Sequence, residues 1–292
     1  MTTTEIIHSP KTLAETYALL AEGQERCKII AGGTDLMVLH NTQMLQSAEY
    51  INIWGLDELR GIIDEGERIR IGALATYTEL INSPIVRRGI PPLVEASKTI
   101  GAIQIQNRGT IGGNIVNASP AGDTLPVLAV FDAEVEIGSV RGRRLVDFNQ
   151  FYTAYRKTVL EPDELLLAVR VANLREGEKS FFYKAGTRRA QAISKVVIAA
   201  RAYLNNGVIE SIKIGLGSVA ATVIRAMITE NLLTNSFLNN EVIEEARRTI
   251  SMEIMPITDI RSTEHYRRTV TGNLLAKFLR QLIGNSGSVR SS

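Results

Sequence analysis

The chain has 292 residues, of which 45% are hydrophobic and 22% charged, as in a folded protein that buries a substantial core. This length predicts two compact domains, or one large domain with an appendage. The net charge of +2, from 33 basic and 31 acidic residues, favours neither nucleic acid nor an anionic membrane as a partner.

The N-terminal segment, MTTTEIIHSPKTL, has neither a positive flank nor an apolar h-region, so no secretory signal is expected. No apolar run approaches the roughly 18 residues of a membrane span. The expected location is therefore cytoplasmic. A helix is predicted over SPKTLAETYALLAEG, with Ser9 as its cap and Pro10 in its first turn. Its predicted buried face consists of Leu13, Tyr17, Leu20 and Ala21.

Short strands and helices are predicted to follow. KIIA indicates a buried strand that stops at two glycines and leads into a helical turn. YINIW and RIRIGAL indicate strands, and PPLVEASKTI a helix. The glycine-broken stretch NRGTIGGN leads to a helix near residues 123–131 and a strand near 133–137. The polar segment ANLREGEKS predicts a domain boundary between Ala172 and Ser180.

Beyond that boundary, SFFYKAG, ISKVVIAARAYL and VIESIKIGLG predict successive antiparallel strands, with the hairpin turn NNG between the last two. NNEVIEEARRTI and EHYRRTVTGNLLAKFLRQLI predict helices. The predicted apolar stripe of the second helix consists of Tyr266, Val270, Leu274, Phe278 and Leu282. The tail, GNSGSVRSS, is predicted to be disordered.

The chain offers few side chains for nucleophilic or metal chemistry. Cys27 is its single cysteine, which excludes an intrachain disulfide and any iron–sulfur cluster held by several cysteines of this chain. The position of Cys27 at the edge of an apolar segment is typical of a small buried hydrophobe. The three histidines, His8, His40 and His265, lie far apart in sequence, which argues against a His-rich metal site.

Two loops share one character, adjacent glycines flanked by Thr, Asp or Asn. We call AGGTD, residues 31–35, the first glycine loop and TIGGN, residues 110–114, the second glycine loop. Glycine lets a ligand approach the backbone, and such turns direct N–H groups towards an anion. Neither loop is a Walker loop or a G-x-G-x-x-G motif. The two loops suggest a pyrophosphate held in a non-Rossmann arrangement, although spacing alone leaves two ordinary turns about equally well supported.

The sequence resembles the FAD-binding subunit of the molybdenum hydroxylases, the family of xanthine dehydrogenase and aerobic carbon monoxide dehydrogenase. The resemblance spans nearly the whole chain, in family order, through AGGTDL, GTIGGNIVNASPAGDTLPVLAVFDAEVEI, YRKTVLEPDELLLAVRV, FFYKAGTRRAQAISKV and DIRSTEHYRR. It implies an α+β protein with a two-subdomain α/β FAD-binding domain of the PCMH type over residues 1–175. A smaller C-terminal domain with a three-stranded antiparallel sheet and helices would follow over 178–284, before a disordered tail at 285–292.

The resemblance also implies FAD contacts. Backbone N–H groups of both glycine loops and their flanks would surround the pyrophosphate: Ile30, Ala31, Gly32, Gly33, Thr34, Asp35 and Leu36, then Thr110, Ile111, Gly112, Gly113 and Asn114. Asp123 matches an acidic residue that bonds to the sugar portion, and Ser119 lies in the same loop. Leu160 matches an apolar residue near the flavin ring, Lys184 a lysine near the cofactor, and Ile193 an apolar residue by the isoalloxazine.

Each of the later matches has a structural alternative. Asp123 could cap the helix that follows it. Leu160 and Ile193 could be ordinary core residues, and Lys184 a solvated surface lysine.

The resemblance implies a function in electron transfer rather than catalytic side chains of the chain's own. FAD would be bound non-covalently and reduced through [2Fe–2S] clusters on a small partner subunit. Those clusters would receive their electrons from the molybdenum cofactor on a large partner subunit. Electrons would pass on to NAD+ or another acceptor within a heterotrimer or its dimer. Two alternatives stay open: a stand-alone FAD-dependent reductase on a related fold, such as the enolpyruvoyl-glucosamine type, and a non-catalytic scaffold subunit that has lost FAD.

Overall fold

A computed structural model describes residues 5–23, 27–42, 49–188 and 191–286 of the chain. The helices are α1 (Leu13–Gly23), α2 (Leu36–Asn41), α3 (Tyr77–Asn82), α4 (Pro84–Gly89), α5 (Pro91–Lys98), α6 (Ile103–Gln106), α7 (Ile111–Asn117), α8 (Leu125–Val130), α9 (Met227–Leu233), α10 (Asn240–Glu253) and α11 (Glu264–Ser286). In this described part, no helix has both the length and the hydropathy needed to cross a membrane. The predicted disordered tail was wrong in its first residues, because α11 continues to Ser286; the rest of that tail lies outside the described residues.

The strands form four sheets. They are β1 (Ile6–His8), β2 (Cys27–Ile30), β3 (Glu49–Asn52), β4 (Ile62–Asp64), β5 (Arg68–Gly72), β6 (Glu134–Ser139), β7 (Gly142–Asp147), β8 (Tyr152–Ala154), β9 (Lys157–Thr158), β10 (Leu165–Ala172), β11 (Lys179–Ala185), β12 (Val196–Asn205), β13 (Val208–Gly217) and β14 (Ile224–Arg225). Among the described residues, the short strands β8 and β9 form a two-stranded sheet of their own.

The first subdomain is a parallel sheet in the order β1-β3-β2, which shares a small apolar core with α1. The predicted start of α1 was wrong, because the helix begins at Leu13 rather than around Pro10. The hydroxyl of Thr12 accepts the N–H of Glu15 at 3.2 Å. Thr12 therefore caps the first turn, the role that was predicted for Ser9.

The second subdomain contains the main core of the N-terminal region. Its antiparallel sheet has the order β4-β5-β10-β6-β7 and packs against helices that include α5 and α8. The alternating strand β5 was predicted, and its residues Ile69 and Ile71 are fully buried. The edge strand β7 was not predicted, because its residues are mostly exposed and charged.

The C-terminal domain consists of an antiparallel sheet in the order β11-β12-β13-β14, with α10 and α11 in its core cluster. The three predicted strands are confirmed, and the two-residue β14 adds an unpredicted fourth at the edge. The predicted hairpin is also confirmed: Asn206 and Gly207 have φ values of 48° and 83°. Positive φ at both central residues is typical of a type I′ turn.

The predicted stripe of α11 is right in the second half of the helix and wrong in its first turn. Phe278 and Leu282 are buried, whereas Tyr266 is 40% exposed and the next residue, Arg267, is 3% exposed. At 3.6 residues per turn, a series of every fourth residue rotates by about 40° per step. The stripe therefore turns away from the core, and Arg267 takes the inward position.

An ion-pair cluster joins the second subdomain to the C-terminal sheet. Asp132 follows α8, and its carboxylate accepts hydrogen bonds from Arg201 of β12 and Lys213 of β13. The Arg201 side chain is 4% exposed and its guanidinium lies 5.2 Å from the ring centre of Phe131. Partial burial would raise the pKa of Asp132, but the Lys213 hydrogen bond and the Arg201 charge outweigh it and lower the pKa.

We expect Asp132→Asn to lower the melting temperature at pH 7 by a few degrees. This corresponds to a loss of about 1–2 kcal/mol in unfolding free energy, after allowance for solvent screening. Asparagine tolerates the left-handed φ of 47° at this position, so the loss comes from the charge. Because the folded pKa is lowered, the stabilisation is present above the ordinary value of 3.8 and is lost as pH falls through the folded value. The difference in melting temperature between the wild type and Asp132→Asn should therefore shrink below pH 3.8. Identical melting at pH 7 would contradict this assignment.

Candidate functional site

The first glycine loop lies at the carboxyl end of β2, the edge at which parallel sheets bind ligands. Ile30 ends the strand, and Leu36 begins α2. Between them Gly33 has a φ of +77°, which favours glycine. The two glycines therefore end the strand and turn the chain into the short helix.

The next feature of this loop is its set of backbone N–H donors. Within the residues that the structure describes, the N–H groups of Gly32, Gly33, Thr34 and Asp35 have no hydrogen-bond acceptor. Asp35 occupies the N-cap position of α2, but its side chain makes no capping bond. A run of unpaired N–H groups with positive φ inside it is an arrangement that binds a phosphate anion.

The second glycine loop offers side chains instead. Four of its backbone N–H groups already have acceptors in the protein. Those of Ile111 and Gly112 donate to the carbonyls of Ala75 and Ala73, and those of Asn114 and Gly113 donate to the carbonyl and the hydroxyl of Thr110. This corrects the expectation that both loops bind mainly through backbone N–H groups. The Thr110 hydroxyl accepts from Gly113 at 3.1 Å and keeps its own proton to donate. Asn114 accepts from Thr124 through Oδ1 at 2.5 Å, which leaves its Nδ2 amide group to donate.

The two glycines of each pair have different surroundings. A Cβ on Gly32 would lie 1.7 Å from the carbonyl oxygen of Arg108, and one on Gly112 would lie 2.7 Å from that of Ala73. On Gly33 it would meet only Met37 Cγ, at 3.6 Å. On Gly113, which is exposed, it would lie 3.0 Å from Thr110 Oγ1. The first glycine of each pair thus allows backbone to pack on backbone, and the second leaves space beside the loop.

Asp123 and Lys184 form a buried ion pair between the second subdomain and β11. Lys184 Nζ lies 2.5 Å from Asp123 Oδ2, with the two side chains 6% and 5% exposed. The carboxylate also accepts from the hydroxyls of Thr99, at 3.1 Å, and Ser194. Burial raises the pKa of Asp123, although the charge and hydrogen bond of Lys184 oppose that rise.

These contacts exclude two of the structural alternatives. The N-terminus of α8 has no side-chain cap, so Asp123 does not cap that helix. Lys184 is not a solvated surface residue, because its ammonium group bonds to Asp123 and to the carbonyl of Thr99. The pair lies beside the second glycine loop, since Thr124, the neighbour of Asp123, donates to Asn114.

The other three predicted residues are less closely joined to this group. Ser119 is half-buried, and its hydroxyl accepts the N–H of Ala121 at 3.3 Å. Leu160 packs against the main core. Ile193 is 55% exposed and is therefore not a core residue. A contact between any of them and a cofactor stays a prediction.

Sequence reasoning missed Thr99, Ser194 and Arg108. Thr99 and Ser194 are distant in sequence from Asp123, and only tertiary packing brings their hydroxyls to its carboxylate. Arg108 precedes the second glycine loop, and its guanidinium lies 3.8 Å from the ring centre of Trp54, just beyond β3. Its place within NRGT was the available signal, because a cation beside a suspected phosphate site is a candidate ligand.

Comparisons with known proteins identify the family of this chain. Residues 2–173 match the family described as the FAD binding domain in molybdopterin dehydrogenase, and residues 181–282 match the CO dehydrogenase flavoprotein C-terminal domain. The predicted domain division at 175–178 falls between the two matches. The chain is 32% identical over 282 residues to the xanthine dehydrogenase FAD-binding subunit of Escherichia coli O157:H7, covering 96% of each chain.

Two further relatives show the same pattern. The nicotinate dehydrogenase FAD-subunit of Eubacterium barkeri is 38% identical over 192 residues, covering 64% of this chain and 65% of that one. A solved structure of carbon monoxide dehydrogenase from Hydrogenophaga pseudoflava, lacking the Mo-pyranopterin moiety of its cofactor, superposes with a TM-score of 0.91. It is 30% identical and the match covers 94% of this chain and 95% of that chain. The chain therefore belongs to the family of FAD-binding medium subunits of molybdenum hydroxylases, oxidoreductases of the xanthine dehydrogenase and carbon monoxide dehydrogenase type.

Proposed function

We propose that this chain binds FAD non-covalently and acts as the electron-transfer subunit of a molybdenum hydroxylase. In this function it receives electrons from iron–sulfur clusters of a partner and passes them to NAD+ or another acceptor. The observation that carries the proposal is the run of unpaired N–H groups at Gly32–Asp35, beside the free side-chain donors of Thr110 and Asn114. When bound, FAD supplies the chemistry, since it accepts electrons singly and releases two together as hydride.

The residues of this chain bind and orient the cofactor. The first glycine loop neutralises the pyrophosphate with backbone N–H groups, and the Arg108 guanidinium adds positive charge nearby. Thr110 and Asn114 donate from the opposite side. The open space at Gly33 and Gly113 supports this fit, because a side chain there would fill the position of the phosphates.

The buried pair orients the remainder of the cofactor. Lys184 has three donors, of which two are bound to Asp123 and Thr99, so one is left for the cofactor. Asp123 keeps one acceptor position for a sugar hydroxyl after its bonds to Lys184, Thr99 and Ser194. Leu160 and Ile193 line the flavin end in this proposal.

Partner subunits hold the other redox groups. Across the described residues no cluster of His, Cys, Asp and Glu side chains could hold a metal ion. The single Cys27 cannot supply the several thiolates that an iron–sulfur cluster needs. We therefore assign the molybdenum cofactor to a large subunit and the [2Fe–2S] clusters to a small subunit, in a heterotrimer or its dimer.

Purification of the protein from its native host tests this function. We expect a yellow-brown complex in which the chain co-elutes with two further subunits and shows flavin bands together with iron–sulfur absorption. Flavin bands on a solitary chain would favour the stand-alone reductase. A colourless chain that binds no added FAD would favour the scaffold alternative and reject the proposal.

A further inference from the structure

The motif DIRSTEHYRR near the C-terminus has no role in the function described so far, yet it places a buried arginine in the first turn of α11. Arg267 is 3% exposed. We propose that Arg267 is a positioning residue for the cofactor site, which holds two segments of the C-terminal domain against the FAD-binding region. The inference rests on the proposed binding of FAD at that site.

The guanidinium of Arg267 bonds to two separate carbonyl oxygens. Its Nη1 donates to Lys195 at 2.8 Å and to Ser218 at 2.7 Å. Its Nη2 donates to Asp259 Oδ1 at 2.8 Å, and the same oxygen accepts the N–H groups of Arg261 and Ser262. Asp259 therefore orients Arg267. Arg267 in turn bonds to two segments that are distant in sequence, one at Lys195 and one at Ser218.

The first of these segments leads to the buried ion pair. Lys195 follows Ser194, whose hydroxyl bonds to Asp123. The N–H of Lys195 donates to the carbonyl of Ala185, the residue after Lys184, at 2.8 Å. The hydrogen bond from Arg267 to the Lys195 carbonyl thus holds the segment 194–195. That segment bonds to Asp123 through Ser194 and to the residue after Lys184 through the Lys195 N–H.

The second segment is a turn that contacts the FAD-binding region directly. Ser218 has a left-handed φ of 65°, which is costly for a residue with a Cβ. Its N–H donates to the carbonyl of Pro120 at 2.7 Å, next to the predicted site residue Ser119. The hydrogen bond from Arg267 to the Ser218 carbonyl stabilises this turn in the conformation that makes the contact.

The neighbouring Arg268 offers a matched control. Its Nη1 also donates to two carbonyl oxygens, those of Ser251 at 2.6 Å and Ile254 at 2.7 Å. These carbonyls belong to α10 and the residue after it, inside the C-terminal domain. The two arginines make the same kind of contact on the same helix, but only Arg267 acts on segments that reach Asp123 and Pro120.

The test compares Arg267→Gln with Arg268→Gln in the full chain, with added FAD as the ligand. Circular dichroism and thermal melting report the fold, equilibrium dialysis gives the FAD dissociation constant, and the visible spectrum reports the flavin environment. We expect both variants to melt earlier. We expect R267Q to raise the FAD dissociation constant by about tenfold, equal to about 1.4 kcal/mol, and to alter the flavin bands. R268Q should stay within about twofold of the wild type and keep its spectrum.

Equal FAD affinity and spectra for R267Q and R268Q would overturn the inference and leave the proposed function intact. Failure of the wild-type chain to bind FAD would instead reject the proposed function. If R267Q does not fold, Asp259→Asn keeps Arg267 while removing the charge that orients it. That variant should raise the dissociation constant about threefold, and an unchanged constant would also overturn the inference.

Discussion

We expect Gly113→Val to fold normally and to weaken FAD binding by about one hundredfold or more, about 2.7 kcal/mol. Gly113 lies in α7 with a negative φ, and valine is a better helix residue than glycine, so the fold should tolerate it. Outside the backbone of α7, the contact that the new Cβ makes with the described residues is with Thr110 Oγ1, at 3.0 Å. The two methyl groups would then occupy the space that the proposal gives to the pyrophosphate. Equilibrium dialysis with FAD, beside circular dichroism, measures both parts of the prediction.

Gly284→Val is the control for this substitution, because Gly284 is also an exposed helical glycine, in α11, with open space around its Cβ position. It should bind FAD as the wild type does. Gly33→Val is the poorer test, since a φ of +77° would strain the chain as well as block the ligand. Wild-type FAD affinity in Gly113→Val would reject the pyrophosphate assignment.

The second large effect concerns the buried pair. Lys184→Met leaves the Asp123 carboxylate buried without its cation, which costs about 3–5 kcal/mol in unfolding free energy. The pKa of Asp123 is already raised by burial and should rise further in this variant. A group with a raised folded pKa contributes stability that is present below its unfolded value and lost as pH rises. Urea unfolding of the cofactor-free chain should therefore show a smaller loss near pH 5 than near pH 8.

Adding Asp123→Asn to Lys184→Met provides the internal control. The amide carries no charge, and its oxygen still accepts a hydrogen bond from Ser194 or Thr99. The double variant should therefore recover part of the stability lost by Lys184→Met alone. A loss below about 1 kcal/mol in the single variant would mean that the pair behaves like a solvent-exposed one.

Local patterns in the sequence predicted several elements whose residues are buried on a regular period, although the buried central strand β10 was not among them. The strands β5, β12 and β13 alternate or are uniformly apolar, and Asn-Gly marks the hairpin between the last two. The edge strands β7 and β14 were missed, because one is charged and exposed and the other has only two residues. Pairing with a neighbour, not their own composition, makes them strands.

The candidate site could be predicted in part for the same reason. Adjacent glycines with small polar neighbours are visible in any sequence, so both glycine loops were found. The donors that each loop has available for a ligand depend on which of its N–H groups already bond to other parts of the fold. That depends on tertiary structure. The sequence placed Lys184 near the cofactor but did not predict its buried ion pair with Asp123. The inward position of Arg267 was missed, because arginine is usually exposed.

The contact between Gly32 and the Arg108 carbonyl also bears on how such a site can be exchanged between relatives. A segment containing residues 29–36 can be grafted from another protein only if its backbone meets the recipient's residues 105–109 without overlap. A donor segment with any side chain at position 32 would collide with that carbonyl. The first glycine loop and residues 105–109 therefore form one transferable unit. A chimaera that carries both should load its cofactor where a chimaera that carries the loop alone, against a mismatched 105–109 segment, would not.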